Sequence, residues 1–215
     1  MSPTPVWLFD LDNTLHDASP HIFPHINRSM TAYLQRHLAL DRDEANALRM
    51  HYWRRYGATL LGLIRHHGTD PRHFLVETHS FDRLHEMMVF ERALRGMLRR
   101  LPGRKMVFSN APRHYAEAVL EIMGIRREFE EVVGIEDLDY QPKPGIRGYR
   151  KLIASRRLNP RHCIMVEDSA VNLRTARRLG MHTVLVGRGL TQPAYVDLKI
   201  RSILDLRRNS GRLAG

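Results

Sequence analysis

The stretch CIMVEDSAVNLRTARRLGMHTVLVG, residues 163–187, decides the fold. Its opening, CIMVED (163–168), is a short apolar run that ends at acids, and its close, HTVLVG (182–187), is a second run that ends at glycine. Runs of four to six apolar residues of this kind read as strands buried on both faces, the signature of a parallel sheet. Between them, SAVNLRTARRLG (169–180) has helical patterning and stops at Gly180, an expected helix C-terminal residue. The whole reads strand, helix, parallel strand, joined by a right-handed crossover.

Working outward, the same rhythm recurs upstream. VWLFD (6–10), KMVFS (105–109) and EVVGI (131–135) are three more candidate strands, and PRHYAEAVLEIMG (112–124) is a second helix that stops at a glycine. The alternation predicts an α/β protein with a parallel sheet and helices on both faces. One gap breaks it. Almost a hundred residues separate Asp10 from Ser109, with helical patterns at about 20–38, 41–55, 57–67 and, more loosely, 71–87. A further helix at about 90–101, FERALRGMLRRL, reads as the crossover into the second strand. The expected organisation is a Rossmann-like α/β core of residues 1–16 and 89–215 with an all-helical cap inserted at 17–88. A cap over the carboxyl ends of the strands, the ligand-binding edge of open α/β sheets, would exclude water and select substrates.

Composition narrows the function classes. The 215 residues include 43% hydrophobic and 27% charged side chains, ordinary for a globular chain able to bury a core. No apolar run approaches the roughly 20 residues that span a bilayer, and the N-terminal MSPTPVWLFD lacks the basic region of a secretory signal. The lone cysteine, Cys163, lies in an apolar run and reads as a small core residue; a cytoplasmic setting fits that count. The net charge is +11, and 30 of the 34 basic side chains are arginine. They come as scattered doublets on helical faces, without interleaved aromatics or a Cys/His finger, so the pattern argues against a nucleic-acid interface. A diffuse positive field still attracts small phosphorylated anions.

Four strand ends carry polar groups in chain order. Asp10 and Asp12, with Thr14, follow the first strand; Ser109 and Asn110 follow the second. Lys143 sits in QPKPG, stiffened by Pro142 and Pro144, and Glu167, Asp168 and Ser169 follow the fourth, with Asn172 one helical turn on. Each has a simple local explanation: turn formers, helix N-caps, a surface lysine, acids at a helix N-terminus. As a set they do not. The set resembles the haloacid dehalogenase-like hydrolase superfamily, whose phosphatases carry DxDx[TV], a hydroxyl residue, a lysine and an acidic pair in that order. The resemblance implies a Rossmann-like core with a helical cap and a phosphoester hydrolase.

By that resemblance, Asp10 is the nucleophile that forms an aspartyl-phosphate, and Asp12 is the acid and base that serves the leaving group and then water. The two roles need opposite protonation states. Ser109 binds a phosphoryl oxygen, with the backbone N–H of Asn110 beside it, and Lys143 offsets charge on Asp10 and the phosphoryl group. Mg²⁺ is the implied cofactor, held by the Asp10 carboxylate, the Asp12 backbone carbonyl and Asp168, with Glu167 direct or through water. Thr14 and Asn172 are supporting residues, Asn172 orienting Asp168 or Lys143. An acid at Asp12 favours phosphoester hydrolysis over dehalogenation, and Asn13 in place of glycine disfavours a mutase.

LDNTLHDAS (11–19), IFPHINRSM (22–30), YWRRYGATLLGLIRHHG (52–68) and KIRSILDL (199–206) are similar to the pyrimidine 5′-nucleotidase branch. That implies a cytoplasmic enzyme of nucleotide metabolism, a monomer or homodimer, acting on pyrimidine nucleoside 5′-monophosphates. Trp53, Arg54 and Tyr56 could meet a base and its phosphate, or the aromatics could pack inward. His16 and His21 are candidates for the pocket entrance. The thirteen histidines bring no HExxH or cysteine partner, so a zinc site is not expected. Two alternatives stand beside the nucleotidase reading: a phosphatase or mutase for a small sugar phosphate or phosphoglycolate, and a non-catalytic basic RNA-binding protein.

Overall fold

The computed structural model describes residues 4–209. The chain divides into two compact units, one made of the residues up to Asp17 with those from Val89 onward, the other Ala18–Met88. Within the first unit the Asp17 N–H donates to the Val89 carbonyl at 2.8 Å, tying together the points where the chain leaves and returns.

After β1 (Val6–Phe9), the second unit contributes α1 (Ile22–Leu38), α2 (Arg42–Tyr56), α3 (Thr59–His67) and α4 (Pro71–Thr78). Local chemistry sets their ends. Asp41 and Glu44 form a reciprocal capping box at the start of α2, and Asp70 caps α4 with Pro71 at its first position. α1 tolerates Pro24 because it falls in the first turn, where a missing N–H costs no internal bond. The looser pattern at 71–87 resolves into α4 and a separate 3₁₀ turn, Leu84–Met87. Inside the unit Leu34, Leu63 and Phe74 are fully buried, and Tyr33 meets Phe74 edge to face at 5.0 Å. No helix among the described residues is long and apolar enough to cross a membrane.

The first unit is built on a parallel sheet in the order β3-β2-β1-β4-β5-β6, adding β2 (Arg104–Phe108), β3 (Glu131–Val133), β4 (Cys163–Glu167), β5 (His182–Val186) and β6 (Leu198–Ile200). Its helices are α5 (Leu94–Arg100), α6 (Arg113–Ile122), α7 (Ile146–Ser155), α8 (Ala170–Arg178) and the single turn α9 (Leu206–Asn209). Every residue of β1 and β4 is buried, as central strands covered on both faces must be. Register places the functional ends level. Phe9 pairs with Val107 on one side and Val166 on the other, so Asp10 emerges beside Phe108 and Glu167.

The start of β2 depends on glycine. Gly103 has φ +101°, and an added Cβ would lie 2.4 Å from the Pro5 carbonyl oxygen. That close approach lets the Arg104 N–H reach Pro5 and the Trp7 indole reach the Pro102 carbonyl, locking β1 to β2. The crossover helix expected at 90–101 is shorter, Leu94–Arg100, and begins without a side-chain cap at Ala93. β3 ends at Val133 rather than 135, and β6 falls outside the expected strands: Leu198, Lys199 and Ile200 alternate in burial, but three residues are too few for a pattern to be read.

Candidate active site

The turn after β1 aims the two aspartates. Asn13 takes φ +62°, a left-handed conformation that asparagine tolerates, and the Thr14 and Leu15 N–H groups return to the Leu11 carbonyl. This turns the chain under itself, so that Thr14 Oγ1 donates to Asp10 Oδ2 at 3.3 Å.

Lys143 ties three of the predicted residues together. Its Nζ donates to Asp10 Oδ1 at 2.6 Å, to Glu167 Oε2 at 2.8 Å and to the Phe108 carbonyl at 2.8 Å. All three ammonium protons are therefore used, and the group is buried. Asn110 holds the loop that carries it: Asn110 Oδ1 accepts from the Lys143 N–H at 2.8 Å while Nδ2 donates to the Lys143 carbonyl at 3.0 Å. The asparagine side chain thus clasps the lysine backbone, a role beyond the backbone N–H expected of it. Ser109 is buried at the end of β2, with Oγ accepting from the Ala111 N–H at 3.0 Å.

Asp10, Glu167 and Asp168 each offer a carboxylate oxygen within 4.8 Å of one another. Three carboxylates around one ammonium leave a deficit of two positive charges when all ionise. Burial, reinforced by Glu167, pushes the Asp10 carboxyl up to about 7 against the pull of Lys143. Burial also raises Glu167 and Asp168. Burial draws the lysine down, but Asp10 and Glu167 more than offset it and leave it firmly protonated. An oxygen-only, over-negative pocket of this kind suits a hard divalent cation.

Asp12 points to different partners. Its Oδ1 accepts from Tyr115 Oη at 2.7 Å and lies 2.9 Å from His16 Nε2. His16, expected at a pocket entrance, is instead 4% exposed and turned onto Asp12, because the turn after β1 also pairs the backbones of Asp12 and His16. Tyr115 was missed. The signal available was a hydroxyl on the apolar face of an amphipathic helix, which must find a partner once buried. Asn172 makes no side-chain hydrogen bond to Asp168 or Lys143 among the described residues; the donors of Lys143 are already committed, and the Asn172 backbone carbonyl accepts from Tyr149 Oη at 3.0 Å.

The remaining candidates lie in the helical unit. His21 is exposed at the start of α1. Trp53 is 55% exposed on α2 and Arg54 is exposed beside it, whereas Tyr52 is buried against Gly62. Tyr56 is half-buried, its Oη 2.6 Å from His66 Nε2. The aromatic trio of α2 therefore divides: Tyr52 packs inward, Tyr56 is engaged by a histidine, and Trp53 faces solvent.

A parallel sheet with acids at the ends of β1 and β4, a lysine between them and a helical insertion after β1 matches one family throughout. The sequence model of the haloacid dehalogenase-like hydrolases matches residues 6–180, and the chain belongs to that family. Among its relatives, a phosphoglycolate phosphatase of Chromobacterium violaceum is 25% identical over 215 residues, covering 92% of each chain. Phosphate metabolism protein 8 of Saccharomyces cerevisiae is 25% identical over 198 residues, 84% of this chain, and this chain spans 60% of that protein's length. In fold the chain is similar to a HAD phosphatase from Thermococcus onnurineus, with TM-score 0.61, 22% identity and coverage of 96% and 98% of the two chains.

Proposed function

We propose that the protein hydrolyses small phosphate monoesters through an aspartyl-phosphate on Asp10. The observation that carries this reading is the buried Asp10–Lys143–Glu167 cluster at the carboxyl end of β1 and β4. Lys143 holds Oδ1 of Asp10 and Thr14 holds Oδ2, which fixes the carboxylate plane for in-line attack. The Asp10 carboxylate attacks phosphorus as the ester P–O bond breaks, and the departing alkoxide takes its proton from Asp12. Asp12, now ionised, removes a proton from water, which attacks the acyl phosphate and restores Asp10 with release of inorganic phosphate. Ser109 Oγ and the Asn110 N–H are the donors assigned to the phosphoryl oxygens.

Asp10, Asp168 and Glu167, with the Asp12 carbonyl, would hold Mg²⁺, which supplies charge neutralisation for the transferred group when bound. The donor set fits: oxygen atoms only, and an uncompensated negative charge. Loss of turnover in Asp10→Asn and in EDTA, regained by Mg²⁺ in the wild type alone, is the expected result. Full activity in Asp10→Asn overturns the mechanism.

For the substrate, the full-length likeness to a protein named phosphoglycolate phosphatase supports a small phosphorylated acid or sugar over the pyrimidine nucleotide first expected. The nucleotide reading rests on the segments at 11–19, 22–30, 52–68 and 199–206 and on exposed Trp53 and Arg54. A panel of 2-phosphoglycolate, sugar phosphates, UMP, CMP and AMP separates the two by kcat/KM. Absence of all hydrolysis together with steeply salt-dependent RNA binding would leave the non-catalytic reading.

A further inference from the structure

We propose that Tyr115 and His16 are positioning residues that clamp Oδ1 of Asp12, so that Oδ2 alone is presented for proton transfer. The inference deepens the phosphatase reading and rests on Asp12 as its acid and base. Two donors converge on one oxygen: Tyr115 Oη at 2.7 Å and His16 Nε2 at 2.9 Å. Oδ2 of Asp12 accepts no hydrogen bond from any described residue. A carboxylate otherwise rotates freely about its terminal torsion and offers either oxygen. Here rotation breaks two hydrogen bonds at once, and an arriving proton has only Oδ2 to occupy.

Both donors are themselves held. Tyr115 is 1% exposed on α6, whose start is set by the loop that follows Ser109. Its hydroxyl has the Asp12 carboxylate as acceptor, and a phenol facing a carboxylate serves as the donor. The His16 side chain is completely buried, and its Nδ1 has no hydrogen-bond partner. A buried histidine that leaves one nitrogen unpaired is tolerated when that nitrogen carries only a lone pair; a proton there would strand a donor. The proton therefore sits on Nε2, facing Asp12. No other described residue hydrogen-bonds this ring, so among them its polar contact is spent wholly on the aspartate.

The clamp acts on the step in which the leaving group needs a proton, and that gives its test. The full chain with Mg²⁺ is assayed by kcat/KM, which reports formation of the aspartyl-phosphate, on p-nitrophenyl phosphate and on the best alkyl phosphate of the panel. The aryl leaving group departs without help; the alkoxide does not. Tyr115→Phe and His16→Leu are expected to lose on the order of 10–100-fold on the alkyl ester, the range for mispositioned functional groups. They should lose little on the aryl ester, with KM nearly unchanged. His16→Gln, which can return an amide N–H near the Nε2 position, should recover much of the loss. Thermal midpoints keep folding defects apart from these effects, and the histidine series stands if Tyr115→Phe folds poorly.

Equal losses on both esters, or none on either, would overturn the clamp while leaving the phosphatase intact. A wild type inert toward both esters would remove the phosphatase reading and the clamp with it.

Discussion

Replacing Lys143 by methionine removes the one cation buried among the acids while nearly conserving volume. In the native chain its ammonium donates to Asp10, Glu167 and the Phe108 carbonyl, all within 2.8 Å. Breaking a buried ion pair by deleting one partner costs about 3–5 kcal/mol, because the surviving charges stay desolvated. For a domain of this size that lowers Tm by ~6–20 °C. The loss must also depend on pH. The Asp10 carboxyl already sits up at about 7 in the folded protein, against 3.8 as its ordinary value, so it binds protons that the unfolded chain releases. Its contribution to stability therefore falls as pH rises from about 4 to 7. Without Lys143 both carboxyls move further up and the fall steepens, so the variant's deficit is small at pH 5 and large at pH 8. Denaturant unfolding in EDTA at those two pH values measures it. A deficit below about 1 kcal/mol at pH 8, a surface-pair value, or one equal at the two pH values, would refute the reasoning.

Three further outcomes are expected. Saturating Mg²⁺ at a hundred times its Kd should stabilise the wild type by about 2.7 kcal/mol, and Asp168→Asn should blunt that shift; equal shifts in both proteins would remove Asp168 from the cation site. Gly62→Ala should destabilise by about 1–3 kcal/mol through overpacking, since the new Cβ would fall 2.1 Å from Tyr52 Cγ; an unchanged denaturant midpoint contradicts the α2–α3 packing. Cys163 is fully buried and burial pushes its thiol up to about 11, so iodoacetamide at pH 8 should label it only in denaturant. Rapid labelling of the native chain would contradict its place in β4.

Much of this was legible in one dimension, for identifiable reasons. Strands β1 and β4 announce themselves because a strand covered on both faces must be apolar without interruption, and both runs stop at acids where the sheet ends. Glycines 124 and 180 stop two helices, and both adopt the left-handed conformation that the stop requires. β6 escaped notice because an edge strand of three residues needs no pattern. The late start of α5 and the early end of β3 have no comparably clear sequence signal.

Residue types and their chain order are enough to say that carboxylates, a hydroxyl and an ammonium come to one edge, because in a parallel sheet every strand ends there. Which atoms then meet is a different matter. Lys143 reaches Asp10 across 133 positions and Tyr115 reaches Asp12 across 103. Those distances depend on strand register and on the rotation of α6 about its axis, both set by packing rather than by local pattern. Hence Asn172, at the expected spacing, finds the lysine already engaged, while His16 turns inward to the aspartate that the sequence had paired only with a metal and a leaving group.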